Sequence, residues 1–215
     1  MKYRLILASA SPRRKELLAQ IGAEFEIIPA TGEEIITSIE PEETVLELSG
    51  QKAREVAENI LLSDTYFVQR KENALEQKQA DKGVVVLGAD TVVAFQGQIL
   101  GKPTGREDAI RMLKMLSGNT HSVFTGVTMI VLDNGKETKS LSFYEETKVT
   151  MYPMTEEQIQ AYVNTGEPMD KAGAYGIQGK GAIYIEKIVG DYPNVVGLPL
   201  GAVYQKLEKS GIEIL

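Results

Sequence analysis

The chain contains no cysteine, and this absence excludes several kinds of site. Disulfide bridges, thiolate nucleophiles and cysteine-ligated zinc or iron–sulfur centres all require that side chain. Histidine is nearly absent as well, because His121 is its only occurrence, and this rules out clusters of imidazole metal ligands. A lone histidine beside predicted strands is more often structural than catalytic.

An excess of positive charge and long hydrophobic runs are also missing. The net charge is −7, which is not the basic surface expected of a protein that coats nucleic acid. The N-terminal stretch MKYRLILASASPRR has only a short apolar run before charge returns, which predicts neither a signal peptide nor a membrane span. We therefore expect a cytoplasmic protein with no nucleic-acid or membrane partner.

Two common nucleotide-binding motifs are absent from the sequence. It has neither the G-x-x-x-x-G-K-[ST] phosphate loop nor the G-x-G-x-x-G dinucleotide fingerprint. Its 215 residues are 43% hydrophobic and 25% charged, which is ordinary for a globular protein with a substantial core.

Local patterns predict strands and helices interspersed along the chain, which indicates an α/β protein with a mixed sheet. The predicted strands are residues 4–8, 24–29, 122–132, 139–152 and 182–188, and the predicted helices are residues 12–21, 41–60, 105–116, 155–166 and 199–210. Gly50 weakens the middle of the second helix. Residues 63–83 are polar, rich in Lys and Gln and without a convincing buried face, which indicates an exposed insertion or a solvated helix.

Short motifs add detail to this outline. The run VVVLGADTVVAFQGQIL predicts a buried strand interrupted at residues 88–90, a second apolar stretch and a turn at residues 96–97. Asp133-Asn134-Gly135 is a strong hairpin signal between the two middle strands. Thr104 with Glu107, and Thr155 with Gln158, have the spacing of helix capping boxes.

Two adjacent arginines follow a Ser-Pro pair at the start of the first helix. Ser11 is a candidate N-cap and Pro12 a candidate first helical residue, which leaves backbone N–H groups and the positive end of the helix dipole facing outward. Arg13 and Arg14 add guanidinium donors suited to phosphate, and the small residues around Ser9 let a ligand approach the backbone. The alternative is a simple cap with two solvated arginines.

Asp90 stands within an otherwise apolar run, where an unpaired carboxylate is expensive to bury. We expect it at a strand end facing a cleft, although a structural turn-capping role remains open. With Glu34 it could supply hard oxygen ligands for Mg²⁺ or Mn²⁺ beside a phosphate. Lys52 and Lys102 are weak signals alone. The residues by themselves indicate a metal-assisted hydrolase of phosphate esters or anhydrides.

A set of ordered segments resembles the Maf family of nucleoside triphosphate pyrophosphatases nearly from end to end. These segments are SASPRRKELL, GADTVV, LGKP, MLKMLSGNTHSVFTGV, EPMDKAGAYGIQGKGA and VGLPL. The resemblance implies one Maf/ITPase-like α/β domain over residues 1–215, with a mixed, elongated sheet, flanking helices and two lobes around a central cleft. Residues 63–83 depart from the family pattern as an insertion. The implied reaction converts a nucleoside triphosphate to monophosphate and pyrophosphate with a divalent cation.

The resemblance also implies roles for individual residues. It places Asp90 as proton acceptor, Glu34 as the acidic-loop carboxylate with Glu33 a near alternative, and Thr91 and Gln178 where the family tunes substrate choice. The resulting substrate-binding candidates are Ser9, Ser11, Arg13, Arg14, Lys52, Thr91, Lys102 and Gln178, and the metal-binding candidates are Glu34 and Asp90.

The segment AGAYGIQG is similar to the subgroup that acts on dTTP and UTP. We therefore expect a nucleotide-pool enzyme with a nucleotide as its partner, and a homodimer is left open. The alternative is a nucleotide-binding regulator of cell division with secondary hydrolysis. The set of Arg13, Glu34, Asp90 and Lys102 favours catalysis, because binding alone would not require a carboxylate opposite a polyanion.

Overall fold

A mixed seven-stranded sheet flanked by helices forms the centre of the fold. The computed structural model describes residues 2–63 and 83–215, so the predicted insertion lies almost wholly outside the described residues. The strands are β1 Arg4–Leu7, β2 Phe25–Ile27, β3 Val84–Phe95, β4 Gln98–Leu100, β5 Thr120–Asp133, β6 Lys136–Met151 and β7 Ile185–Val189. The α-helices are α1 Pro12–Gln20, α2 Pro41–Leu62, α3 Arg106–Leu116, α4 Glu156–Asn164, α5 Tyr192–Val196 and α6 Leu200–Lys209.

The strand order is β2-β1-β3-β5-β6-β7, with β4 beside the far end of β3. β1 is parallel to both β2 and β3, and the other pairs are antiparallel. This confirms the expected α/β class and mixed sheet. Because β3, β5 and β6 are 12, 14 and 16 residues long, they run on well beyond the short strands beside them, which makes the sheet elongated.

The two ends of these long strands carry separate cores, which form the two lobes. In the first lobe α2 packs on one sheet face around Ala53, while α1 and α6 pack on the other around Leu18 and Leu207. In the second lobe α3 and α4 cover the opposite ends of the strands. Along β3 the boundary between the two cores lies between Ala89, which packs in the first lobe, and Val93, which packs in the second. The expected two-lobed architecture is therefore confirmed.

The expected interruption at residues 88–90 is wrong, because β3 continues without a break from Val84 to Phe95. Asp90 consequently lies in the middle of a strand and not at its end. The small residue at 88 has a packing cause: a Cβ on Gly88 would lie 2.3 Å from the Ser49 carbonyl oxygen of α2. The glycine therefore marks a close approach of helix and strand.

One of the two predicted capping boxes is formed. Thr155 and Gln158 make both reciprocal bonds at the start of α4. The capping box predicted for Thr104 and Glu107 is wrong. The helix α3 begins after Gly105, and the Asp108 carboxylate accepts hydrogen bonds from the Thr104 N–H and hydroxyl.

Other local predictions have mixed outcomes. The hairpin is confirmed, since Asn134 and Gly135 both have positive φ, as a two-residue primed turn requires. α2 continues through Gly50 without a break. The strand predicted over 182–188 begins only at Ile185, because Gly179–Tyr184 forms a 3₁₀ helix. Within the described residues, no helix is both long and apolar enough to cross a membrane.

Candidate active site

A cleft between the lobes lies against an open stretch of β3. On this side β1 pairs with residues 84–87 and β4 with residues 93–95, so the described strands leave residues 88–92 unpaired there. Side chains alternate across a strand, and Asp90 therefore points to the α2 face while Thr91 points to the α1 face. The gap in the sheet lets one cleft reach both faces.

All ten candidate site residues line this cleft, which has a volume of about 1120 Å³. They come from the β1–α1 turn, the loop before α2, α2 itself, β3, the segment after β4 and the glycine-rich segment before β7. These residues are Ser9, Ser11, Arg13, Arg14, Glu34, Lys52, Asp90, Thr91, Lys102 and Gln178. The structure thus brings the whole set together.

Arg14 is a buried cation held by neutral groups. Its Nε donates to the Gly197 carbonyl at 2.8 Å, Nη1 to the Ser9 hydroxyl at 3.0 Å and Nη2 to the Thr91 hydroxyl at 3.1 Å. Among the described residues no carboxylate lies within ion-pair distance of it. Burial lowers the pKa of the Arg14 guanidinium, an effect that the nearby Asp90 carboxylate partly opposes. An anion in the cleft would stabilise this side chain.

Thr91 belongs to a directed chain of hydroxyl hydrogen bonds. The Thr125 hydroxyl donates its single proton to the Asn194 carbonyl at 3.0 Å, so it accepts from Thr91, whose Oγ1 is 2.9 Å away. The Thr91 hydroxyl is then free to accept from Arg14. Thr91 therefore fixes the position of the arginine and has no proton left to donate into the cleft.

Arg13, the neighbour of Arg14 in α1, contacts the second lobe. Its Nη1 is 3.1 Å from Asp170 Oδ2, and the other oxygen of Asp170 is 2.6 Å from Lys171 Nζ. The pKa of Asp170 is lowered, because bonds to Lys171 and Arg13 together outweigh its desolvation. Ser11 is the N-cap of α1 but makes no side-chain capping bond. The two arginines and Lys171 thus surround the helix start with positive charge.

Lys52 forms salt bridges with both candidate metal-binding carboxylates. Its Nζ is 2.5 Å from Asp90 Oδ1 and 2.8 Å from Glu34 Oε1. The Asp90 side chain is 15% exposed and that of Glu34 is 51% exposed, so the pair extends from the strand to the mouth of the cleft. This arrangement places Glu34, and not its alternative Glu33, beside Asp90. Asp90 Oδ2 has no hydrogen-bond partner among the described residues.

The far wall of the cleft is the segment that contains Tyr175 and Gln178. The Tyr175 hydroxyl lies 2.7 Å from Nε2 of the buried His121, and the two rings meet edge to face. A Cβ on Gly173 would be 2.9 Å from Val93, so close packing against β3 fixes this backbone. Gln178 and Lys102 are both exposed at the cleft.

Sequence reasoning missed several residues that shape the site. Asp170 and Lys171 stand in the quoted segment EPMDKAGAYG, but the pattern assigned them no role. The available signal was that an acidic and a basic residue stand next to each other just before the glycine-rich run. The Thr125 and Asn194 contacts had no local signal, because Thr125 is 34 residues from Thr91 and 69 from Asn194 along the chain.

The donor set is compatible with a hard divalent cation that arrives with a phosphate ligand. Glu34 and Asp90 converge on one point of positive charge and offer only oxygen atoms. Within the described part of the chain, no group of three or more acidic or histidine side chains could hold a metal ion by itself. Any such ion would need further oxygen ligands from substrate or water.

Comparison with known proteins identifies the family. The model of the Maf-like protein family matches residues 4–210. The dTTP/UTP pyrophosphatase of Agathobacter rectalis is 58% identical over 210 residues, covering 98% of each chain. The enzymes of the same name from Lachnoclostridium phytofermentans and Carboxydothermus hydrogenoformans are 42% and 47% identical, over 99% and 97% of this chain and 98% and 99% of their own. The chain therefore belongs to the Maf-like protein family.

Proposed function

We propose that this protein is a cytoplasmic nucleotide-pool enzyme that hydrolyses dTTP and UTP to the monophosphate and pyrophosphate. One observation carries the proposal: the buried Arg14, which has no carboxylate within ion-pair distance among the described residues, lines the same cleft as the Glu34 and Asp90 carboxylates. The first favours a polyanion, and the second offers a base next to it. The names of the relatives support this choice of substrate.

In the proposed reaction the positive groups bind and orient the triphosphate. Arg13, Arg14 and the α1 N-terminus contact phosphate oxygens, and Lys102 lies at the cleft to add a further cation. A phosphate on Arg13 would compete with Asp170 for the same guanidinium. Lys52 keeps Asp90 in place through Oδ1.

Asp90 is the proposed proton acceptor. Its second oxygen, Oδ2, would orient a water toward the α-phosphorus and accept a proton from it. The water oxygen forms the new bond to the α-phosphorus while the bond from that phosphorus to the bridging oxygen breaks, and pyrophosphate leaves. Glu34 and Asp90 would hold Mg²⁺ or Mn²⁺, which when bound neutralises part of the phosphate charge.

Gln178 is the proposed contact for the base. Uracil and thymine present an N3–H donor beside carbonyl acceptors, and a Gln amide matches this pattern in one orientation but would match cytosine after a flip. Selectivity therefore requires neighbours that fix the amide. The backbone of the glycine-rich segment around Tyr175 and Gly176 lies at the cleft and is suited to this task.

The test is a panel of UTP, dTTP, CTP and GTP with Mg²⁺, in which the released phosphate product is identified. We expect pyrophosphate, with kcat/KM for UTP and dTTP roughly a hundredfold above that for CTP, because the wrong base leaves polar groups unpaired. Gln178→Ala should reduce that ratio. Equal rates for UTP and CTP would contradict the substrate assignment, and an unchanged ratio in the variant would remove Gln178 from the explanation.

A second measurement addresses the carboxylate. Asp90→Asn keeps the side-chain shape but removes the charge, and we expect it to lower kcat by at least about a hundredfold. Circular dichroism and thermal denaturation should show an intact fold. A folded variant that retains most of its turnover would contradict the role of Asp90 as proton acceptor. If the wild type binds nucleotide but releases no product, the alternative of a nucleotide-binding regulator would be favoured.

A further inference from the structure

The loop that carries Glu34 is attached to α2 by a regular row of side chains. The row consists of Glu43, Glu47, Gln51 and Glu55, which are spaced four residues apart and therefore lie on one face of the helix. The loop, residues 31–38, runs along this face without secondary structure of its own. We refer to these four side chains as the α2 ladder.

The two C-terminal members of the ladder hold the first half of the loop. Glu55 accepts hydrogen bonds from the backbone N–H groups of Thr31 at 2.8 Å and Gly32 at 3.0 Å. Gln51 binds both backbone groups of Ile35: its Oε1 accepts from the N–H at 2.9 Å, and its Nε2 donates to the carbonyl at 2.5 Å. The backbone is thus held on both sides of Glu34.

The two N-terminal members hold the second half. Glu47 accepts from the Thr37 backbone N–H at 3.0 Å and also from the Thr37 hydroxyl. Glu43 accepts from the Ser38 hydroxyl at 2.6 Å. The bonds from Thr37 and Ser38 lower the pKa of Glu47, and those from Thr31 and Gly32 do the same for Glu55, so both carboxylates favour the charged, bonded form.

The position of Glu34 depends on this attachment. Its own side chain is half exposed, and its contact is with Lys52, the residue next to Gln51 in α2. Ile36 of this loop and Ile39, the residue that follows it, line the cleft although they are 55% and 85% exposed. An irregular loop with such exposed side chains has little apolar burial of its own, so polar bonds to the helix decide where it lies.

We propose that Glu47, Gln51 and Glu55 are positioning residues, which hold the 31–38 loop on α2 and thereby keep the Glu34 carboxylate beside Lys52 and Asp90. The proposal rests on the proposed function for its effect on catalysis, but the attachment itself is a separate, measurable property. The chain offers a matched control in Glu58, an exposed glutamate of the same helix outside the row.

Hydrogen exchange tests the attachment directly. In Gln51→Ala the Ile35 amide should exchange at least about tenfold faster, and in Glu55→Ala the amides of Thr31 and Gly32 should do so, because each loses its acceptor. The buried amides of α2 should not change, and Glu58→Ala should behave as the wild type. Unchanged exchange of the loop amides in both variants would overturn the proposal, whether or not the protein hydrolyses nucleotides.

A double-mutant cycle tests the consequence for Glu34. Gln51→Ala should lower kcat/KM for UTP about tenfold and raise the Mg²⁺ concentration needed for half-maximal rate, whereas in a Glu34→Gln background the same change should have almost no further effect. Gln51→Glu, which keeps the acceptor for the Ile35 amide, should restore part of the activity. Equal losses in both backgrounds would mean that Gln51 does not act through Glu34, and would overturn the positioning role.

Discussion

His121 is a buried base with one unsatisfied nitrogen. Its Nε2 contacts the Tyr175 hydroxyl, while Nδ1 is buried without a hydrogen-bond partner among the described residues. Burial lowers the pKa of His121 to about 4, so the ring is neutral at pH 7. Desolvation likewise raises the pKa of Tyr175. The pair is uncharged near neutrality and supports the wall of the cleft that bears Gln178.

This burial predicts a pH dependence of stability. The unfolded chain binds a proton at His121 below pH about 6.5 and the folded chain only below about 4, so the free energy of unfolding should fall as the pH drops through that window. The loss should be on the order of 2 kcal/mol between pH 6.5 and 5. Chemical denaturation of wild type and His121→Gln across this range measures the difference in slope, and parallel curves would show that His121 is not buried as a neutral ring.

At the scale of elements, the predictions that held were those with a local cause. The Asn134-Gly135 turn and the box at Thr155 depend on residues within a few positions of one another, and both are formed. The break expected at Gly88 is wrong, because the glycine is there to make room for α2, which is distant in sequence. The neighbouring strand β5 shows the same close approach, since a Cβ on Gly126 would be 2.2 Å from the Val45 carbonyl oxygen of α2. A pattern within β3 alone does not distinguish a turn glycine from a packing glycine.

The candidate site also combines features that local sequence indicates with contacts that depend on distant residues. The ten candidate residues, chosen from the residues and from the family resemblance together, all lie among the residues that line the cleft, although their roles stay predictions. Their partners were not predictable, since Arg14 is held by Gly197 and Arg13 by Asp170, far along the chain. The α2 ladder had a local signal in its four-residue spacing, but such spacing is also typical of a solvated helix face.

At the scale of the whole molecule, the cleft exists because three long strands pass through both lobes while the shorter strands do not. The lobes therefore share one sheet, and Asp90 stands where the cores on either side of it end. The contact of Arg13 with Asp170 links the first lobe to the second across the cleft. If Arg13 binds phosphate as proposed, the ligand would compete with this contact between the lobes.

The last prediction concerns the segment between α2 and β3, which we expect to be dispensable for catalysis. All candidate site residues lie outside it, and its flanks have their own anchors: the Ser63 N–H donates to the Ile60 carbonyl, and the Gly83 carbonyl accepts from the Arg4 N–H at 3.0 Å. The entropy cost of closing a loop changes only slowly with loop length.

Replacing residues 64–82 with about eight Gly and Ser residues, which reach about 25 Å when extended, should therefore preserve folding. Gly83 is kept, because a Cβ there would be 2.3 Å from Asp133 Oδ1.

We expect kcat/KM for UTP to stay within about threefold of the wild-type value, since the polar sequence of residues 64–82 predicts no apolar face whose loss would matter. Steady-state kinetics, thermal denaturation and size-exclusion chromatography on both proteins measure activity, folding and assembly separately. A large loss of kcat/KM in a variant that remains folded would show that the segment contributes to the site. If that loss were accompanied by a change in elution volume, the contribution would be made through assembly of the chain with a second copy.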